Sequence, residues 1–243
     1  MRLYVDLGHT RVKWLARQDT GEALSAATPL GSLAVLPEQW APLSPPSEVV
    51  IASVAPTGVE SDIEQAVRTV WSAPIRWLRT PAVGWGVTNG YQAPELLGID
   101  RFAALVAAHA RFPEGAVVCD AGTATTIDAL VAGEHRGGVI LPGIRTQLES
   151  LGASVGLEAG PAALPSERLG RSTAAGLSLG PAYALLGACC MVQSQDPALA
   201  RLPVIVTGGD AEALAAHLPS SWTHDAQLVL AGIEIMARRN RDG

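Results

Sequence analysis

Cysteine is scarce in this chain of 243 residues. There are three, two of them adjacent at Cys189 and Cys190, which makes neither a disulfide framework nor a metal-ligand spacing. A reducing cytoplasm fits that usage. Charge is scarce too, at 16% of residues, and its balance is acidic, with a formal net charge of −6. Such a field draws in no nucleic acid phosphates, so neither DNA nor RNA is expected as a partner. The opening "RLYVDLG" is strand-like and lacks the charged start, apolar run and small-residue cleavage site of a signal peptide. His109, His135, His217 and His224 have no second ligand at metal spacing and read as structural or exposed. One stretch lacks charge altogether, from Ala174 to Gln195, and is nearly as long as a membrane span. Its Gly, Pro and Ser residues, and the lack of a second such stretch, point instead to a buried or dimer-facing helix of a protein that is not in a membrane.

What is present is apolar: 48% of residues are hydrophobic, enough for a large core in one big domain or two modest ones. The patterning predicts strands at about 2 to 6 and 11 to 17, then a Pro- and Gly-rich surface stretch through "PLSPPSE". A strand "VVIASVA", a helix near residues 58 to 71 and a strand "PIRWL" follow. Residues 79 to 94 read as irregular, and "LLGIDRFAALVAAHARF" as an amphipathic helix with Asp100 and Arg101 in its first turn. Next, "AVVCDAGTATTIDALVAGEHRGGVILPG" alternates like three short strands joined by glycine turns. Helices are expected near 144 to 152, 174 to 195, 211 to 217 and 228 to 239, with a strand "PVIVTGGD" between the second and third. Alternating strands and helices make the class α/β.

Two strand ends are alike. "YVDLGHT" and "VCDAGTA" share an apolar residue, an Asp two residues later, a Gly two after that, and then a small polar residue, with the aspartates 114 residues apart at positions 6 and 120. The repeat implies two like-folded halves, 1–114 and 115–243, each turning an Asp and a glycine turn toward a shared cleft. Successive N–H groups in a tight glycine turn favour phosphate oxygens. An aspartate at the same strand end can hold a hydrated Mg²⁺ that bridges those oxygens. Lys13, on the second strand of the first hairpin, reaches the same phosphates as a point charge. Asp6 to Thr10 also fit an ordinary Asx-type turn with a solvated lysine nearby. In "DAGTATTID", Thr123 lies in the turn and is the candidate contact, whereas Thr125 and Thr126 suit a strand by shape and Asp128 could face solvent. In "GIDR", Asp100 can accept a hydroxyl proton and Arg101 can pair with a carboxylate, which suits an acceptor carrying both groups. The same pair also fits a capping carboxylate beside a surface cation. Trp85, in the linker before Tyr91, is a further candidate for a substrate pocket.

Taken in order, "DLGHTRVKW", "GIDR", "DAGTATTID" with "GGVILPG", and "GRSTAAG" resemble the motifs of type III pantothenate kinases, members of the acetate and sugar kinase, Hsp70 and actin superfamily. "VTGGD" at 206 to 210 resembles that superfamily's adenosine-side turn. The resemblance implies two duplicated ribonuclease H-like halves around a nucleotide cleft, the actin-like ATPase fold. It implies ATP-binding by Asp6, Leu7, Gly8, His9, Thr10, Arg11, Val12, Lys13 and Thr123, with Asp6 as a possible Mg²⁺ site. It places a monovalent cation, K⁺ or NH₄⁺, on Asp120, and pantothenate on Tyr91, Gly98, Ile99, Asp100, Arg101 and Thr173, with Asp100 as the proton acceptor. The activity implied is ATP-dependent phosphorylation of pantothenate to 4'-phosphopantothenate, the first step of coenzyme A biosynthesis, by a cytoplasmic homodimer. One departure stands out: His9 occupies the place where the family usually has asparagine. A regulatory accessory protein of the same family without kinase activity is the alternative, and a sugar or acetate kinase would need a different acceptor pocket.

Overall fold

The computed structural model describes residues 1–156 and 168–238. It divides into two compact units that interleave along the chain, Met1–Trp85 with Tyr91–Ala107 and Val229–Gly243, and Gly86–Gly90 with Ala108–Leu228.

In the first unit, β1 (Arg2–Leu7), β2 (Arg11–Arg17), β3 (Ala23–Pro29), β4 (Val49–Ser53) and β5 (Ile75–Trp77) form a sheet in the order β3-β2-β1-β4-β5. A short strand, β6 (Val83–Gly84), lies in the linker that follows. The β1–β2 hairpin is antiparallel with Asp6 opposite Lys13, and β4 lies parallel to β1 with Ala52 beside Asp6. Side chains alternate across a sheet, so Leu3, Val5, Leu7, Val12, Trp14 and Ala16 share one face. They bury there against α1 (Leu36–Trp40) and α2 (Val59–Val70). α2 supplies Ile63, Ala66 and Val67 at helical spacing, with Glu60 and Asp62 in its first turn and Arg68 in its last, as the helix dipole favours. Asp6 and Lys13 belong to the opposite face. α3 (Ile99–Arg111) starts two residues after the buried Leu97.

The sequence pattern predicts a surface stretch between β2 and β4, through "PLSPPSE". The structure instead places β3 there, and α1, whose Leu36 and Trp40 are fully buried and whose Pro37 sits in the first turn, where its missing N–H is tolerated. Trp40 stacks on Trp71 with ring centroids 5.9 Å apart. Five residues are too few for a helical period to show in sequence, and β3 has almost no buried side chain to alternate.

The second unit holds β7 (Val87–Thr88), β8 (Gly115–Ala121), β9 (Ala124–Val131), β10 (Glu134–Pro142), β11 (Val204–Thr207) and β12 (Thr223–His224). Their order is β12-β11-β8-β9-β10-β7. Val117, Cys119, Ala121, Val204 and Val206 bury beneath α4 (Ile144–Val155), α5 (Thr173–Ser194) and α6 (Ala211–Leu214). The chain ends its described part in α7 (Leu228–Arg238), which belongs to the first unit from Val229 on; Arg239, expected in this helix, lies outside the described residues.

Two readings left open by the sequence are narrowed. Asp128 does not face solvent: it is 2% exposed and its Oδ1 lies 2.9 Å from Nε2 of the buried His135. α5 is not buried all round. Leu179, Ala182, Leu185 and Cys189 face the core, while Tyr183 and Met191 are 48% and 62% exposed. By length and composition alone, α5 is the one helix among the described residues apolar enough to cross a membrane.

The repeat read from two aspartates extends to topology. β1-β2-β3 and β8-β9-β10 are antiparallel meanders, and β4-β5 and β11-β12 add in parallel beside β1 and β8.

Candidate active site

The first cluster lies in the first unit, at the C-terminal end of β1. Gly8 N–H donates to the Arg11 carbonyl at 3.1 Å and closes the turn, leaving His9, Thr10 and Arg11 exposed at its tip. Asp6 is 7% exposed. A carboxylate at that depth needs a cationic or polar neighbour, and the register sets Lys13 directly across from it. Leu7 and Val12 send their side chains into the core, so only their backbone can meet a ligand.

Val54 links this turn to the start of α3. Its N–H donates to the Leu7 carbonyl at 3.0 Å, and its Cγ1 would lie 3.4 Å from a Cβ placed on Gly98. That same Cβ would stand 2.4 Å from Asp100 Oδ1. Gly98 is therefore the space into which the Asp100 carboxylate folds back to accept the Arg101 N–H at 2.8 Å. Burial pushes the Asp100 carboxyl above the usual carboxylate range, against the opposing pull of the Arg101 N–H, the Arg101 charge and His9. Arg101 is 9% exposed. Its Nη1 donates to the Tyr91 hydroxyl at 2.7 Å, and the guanidinium carbon stands 5.4 Å from the Tyr91 ring centroid. Ile99 is buried, which leaves its backbone as the part that can touch a ligand. Trp85 lies edge-on to Phe102 with centroids 6.3 Å apart.

The second cluster lies in the second unit, where β8 and β11 end side by side. Asp120 is paired with Thr126 across the β8–β9 hairpin and with Thr207 on β11. Thr123 is exposed at the hairpin turn, which is locked to the start of α4 because its carbonyl accepts the Gly143 N–H at 3.0 Å and the Thr146 hydroxyl at 3.3 Å. The Asp210 N–H donates to the Ala121 carbonyl at 2.9 Å and holds the "TGGD" turn against the same strand end. Thr173 opens α5 and is exposed, just after Ser172, whose hydroxyl caps the helix by accepting the Ala175 N–H at 3.2 Å. Thr207 is a residue that sequence reasoning passed over. In the sequence "VTGGD" ends a strand and resembles the adenosine-side turn, and a threonine ending an apolar strand next to two glycines signals a polar strand end.

The structure thus gathers Asp6, Gly8 to Lys13, Tyr91 and Gly98 to Arg101 in one unit, and Asp120, Thr123 and Thr173 in the other. A family model described as type III pantothenate kinase matches residues 2–194. The chain is 36% identical to the type III pantothenate kinase of Halorhodospira halophila, with 96% of each chain covered. Among solved structures it is similar to a Campylobacter jejuni protein put in the Baf family of transcriptional activators, with a TM-score of 0.60 and 19% identity over 99% of this chain and 100% of that one. It is also similar to MreB5 of Spiroplasma citri bound to ADP, with a TM-score of 0.57 and 11% identity over 100% and 98% of the chains. At those identities the likeness is one of fold, the actin-like ATPase fold that the family resemblance implies. Signature motifs, a family model spanning most of the chain and an identity of 36% to a full-length relative agree: the chain belongs to the type III pantothenate kinase family.

Proposed function

We propose that this chain transfers the γ-phosphoryl group of ATP to the primary hydroxyl of pantothenate, giving 4'-phosphopantothenate and ADP in the first step of coenzyme A biosynthesis. The start of α3 carries the reading. It sets a carboxylate with a raised pKa one residue from a nearly buried arginine that is itself held by a tyrosine, and pantothenate is an acceptor with both a hydroxyl and a carboxylate. The pantothenate hydroxyl oxygen attacks the γ-phosphorus, the bond from phosphorus to the bridging β-oxygen breaks, and the hydroxyl proton passes to Asp100. A carboxyl pushed up in pKa is the better acceptor, because proton-transfer efficiency rises as the base approaches working pH. Arg101 pairs with the pantothenate carboxylate and Tyr91 fixes its guanidinium. The β1–β2 turn, with Gly8 and Thr10, and Lys13 hold nucleotide phosphates, and Thr123 and Thr173 add contacts to ATP and pantothenate.

Mg²⁺ bound with ATP would neutralise phosphate charge during the transfer. Asp6 fits it, being a hard oxygen donor at a strand end. Asp120 fits a monovalent cation, K⁺ or NH₄⁺. The protein is a cytoplasmic homodimer in this reading, paired through the exposed, charge-free face of α5 that carries Tyr183 and Met191.

The test is incubation with ATP, Mg²⁺, K⁺ and pantothenate, followed by mass analysis. A product heavier than pantothenate by one phosphoryl group is expected. Folded protein that yields none under any cation would overturn the reading in favour of a regulatory role.

A further inference from the structure

We propose that the hydroxyl of Thr207 is a second protein ligand, beside the carboxylate of Asp120, for the monovalent cation at the ends of β8 and β11. The proposal rests on the assignment of that ion to Asp120. Thr207 and Asp120 are register partners on adjacent parallel strands, so their side chains leave the same face of the sheet. Their neighbours Val206 and Cys119 take the other face, in the core beneath α5. Thr207 is wholly buried, and among the described residues its hydroxyl has no hydrogen-bond partner. A buried hydroxyl in that state destabilises the fold unless something arrives to meet it.

The duplicated sheet shows that the fold does not require a hydroxyl there. The position equivalent to Thr207 in the first sheet, beside Asp6 on the parallel neighbour strand, is Ala52. The cross-strand position differs in the complementary way. Asp6 faces Lys13, a cation built into the chain, whereas Asp120 faces Thr126. The second sheet thus exchanges a fixed ammonium for oxygen donors.

Gly208 leaves the Asp120 carboxylate unobstructed at this strand end. Its φ of +99° suits glycine alone, and a Cβ there would stand 2.5 Å from Asp120 Oδ1 and 2.4 Å from the Ala121 carbonyl oxygen. One carboxylate with neutral hydroxyl oxygens balances a single positive charge, and oxygen donors select hard cations. Among the described residues no group of three or more His, Cys, Asp or Glu forms an alternative metal site.

The experiment follows the thermal unfolding midpoint of nucleotide-free protein as KCl replaces choline chloride at constant ionic strength, repeated with ADP present. The parent midpoint should rise with K⁺ and saturate. Thr207→Val keeps the shape and removes the donor, so its half-saturating K⁺ should move up by about tenfold or more, while in K⁺-free buffer it melts no lower than the parent. Thr207→Ser should stay within about threefold of the parent. Thr125→Val is the control, since Thr125 also buries an unpartnered hydroxyl but lies one residue from Thr126, on the opposite face; it should titrate like the parent. Asp120→Asn should abolish the response. If Thr207→Val titrates like the parent while Asp120→Asn does not respond, the Thr207 role is wrong and Asp120 stands. If Asp120→Asn responds normally, or the parent never responds with or without ADP, the ion assignment itself falls and the proposal with it.

Discussion

The proposed role of Asp100 as proton acceptor draws on the same burial that makes the residue awkward for the fold. Burial raises its pKa, so folding disfavours its ionised form: the penalty is fully present above the raised folded value and absent below the ordinary carboxylate value near 3.8. Asp100→Asn should therefore lower kcat by about a hundredfold or more, since a positioned base is worth roughly 10² to 10⁴ in rate. It should also raise stability in urea at pH 8 by more than at pH 3.5, below the ordinary carboxylate value. Turnover within about threefold of the parent would remove Asp100 from the role of base. Gly98 acts on the same carboxylate from outside. In Gly98→Ala the new methyl takes the 2.4 Å position beside Oδ1, and the flexible carboxylate must swing away. A misplacement of about an ångström costs on the order of 10²-fold, so kcat should fall while the KM for ATP stays near the parent value. Unchanged kcat would show that the carboxylate has another working position. His9, the departure from the family motif, sits where its charge, when protonated, favours ionised Asp100. The first turn and the Asp100 carboxylate are thus electrically joined.

At the scale of elements, α7 is tied to the first sheet by one acidic side chain. Glu234 accepts from Arg17 of β2 at 3.0 and 2.9 Å and pairs with Arg238 one turn along. Burial alone would raise its pKa, but the two arginines outweigh that and hold it low. A depressed carboxylate contributes stability above its unfolded value, near 4.5, and loses it as pH falls through the folded one. Glu234→Gln should cost about 1 to 3 kcal/mol at pH 7 and flatten the loss of stability below about pH 4.5. Urea titrations of both proteins across pH 3 to 7 measure this, and parallel curves would contradict it. Because this glutamate is 217 residues from Arg17 along the chain, no local pattern announces the pair.

For the whole molecule, the proposed dimer rests on the exposed face of α5. Tyr183 and Met191 stand there in a helix without a charged residue from Ala174 to Gln195, and an apolar face of this kind is normally covered. Light scattering at micromolar concentration should give twice the chain mass. Ala184→Glu, on the same exposed face, should give the monomer with its melting behaviour otherwise kept. A parent of single-chain mass would overturn the dimer.

The amino-acid order alone carries the class, the strand-end repeat and the motifs, because each is written in short-range terms. Alternation marks β1, β2, β8 and β9, glycine marks the turns, and "GIDR" marks the start of α3. It did not determine α1 or β3, where five residues of helix and an edge strand with one buried side chain leave no period to read. Nor did it show that Asp128 is buried against His135, or that α5 keeps one face exposed, since burial depends on what packs on a residue from elsewhere in the chain. Only the folded chain shows which residues surround the two carboxylates proposed to act. Val54 and Gly98 shape the pocket of Asp100, and Thr207 with Gly208 flank Asp120 from 87 and 88 residues away. Those neighbours are fixed by strand register and close backbone approach, which arise only when distant segments pack together.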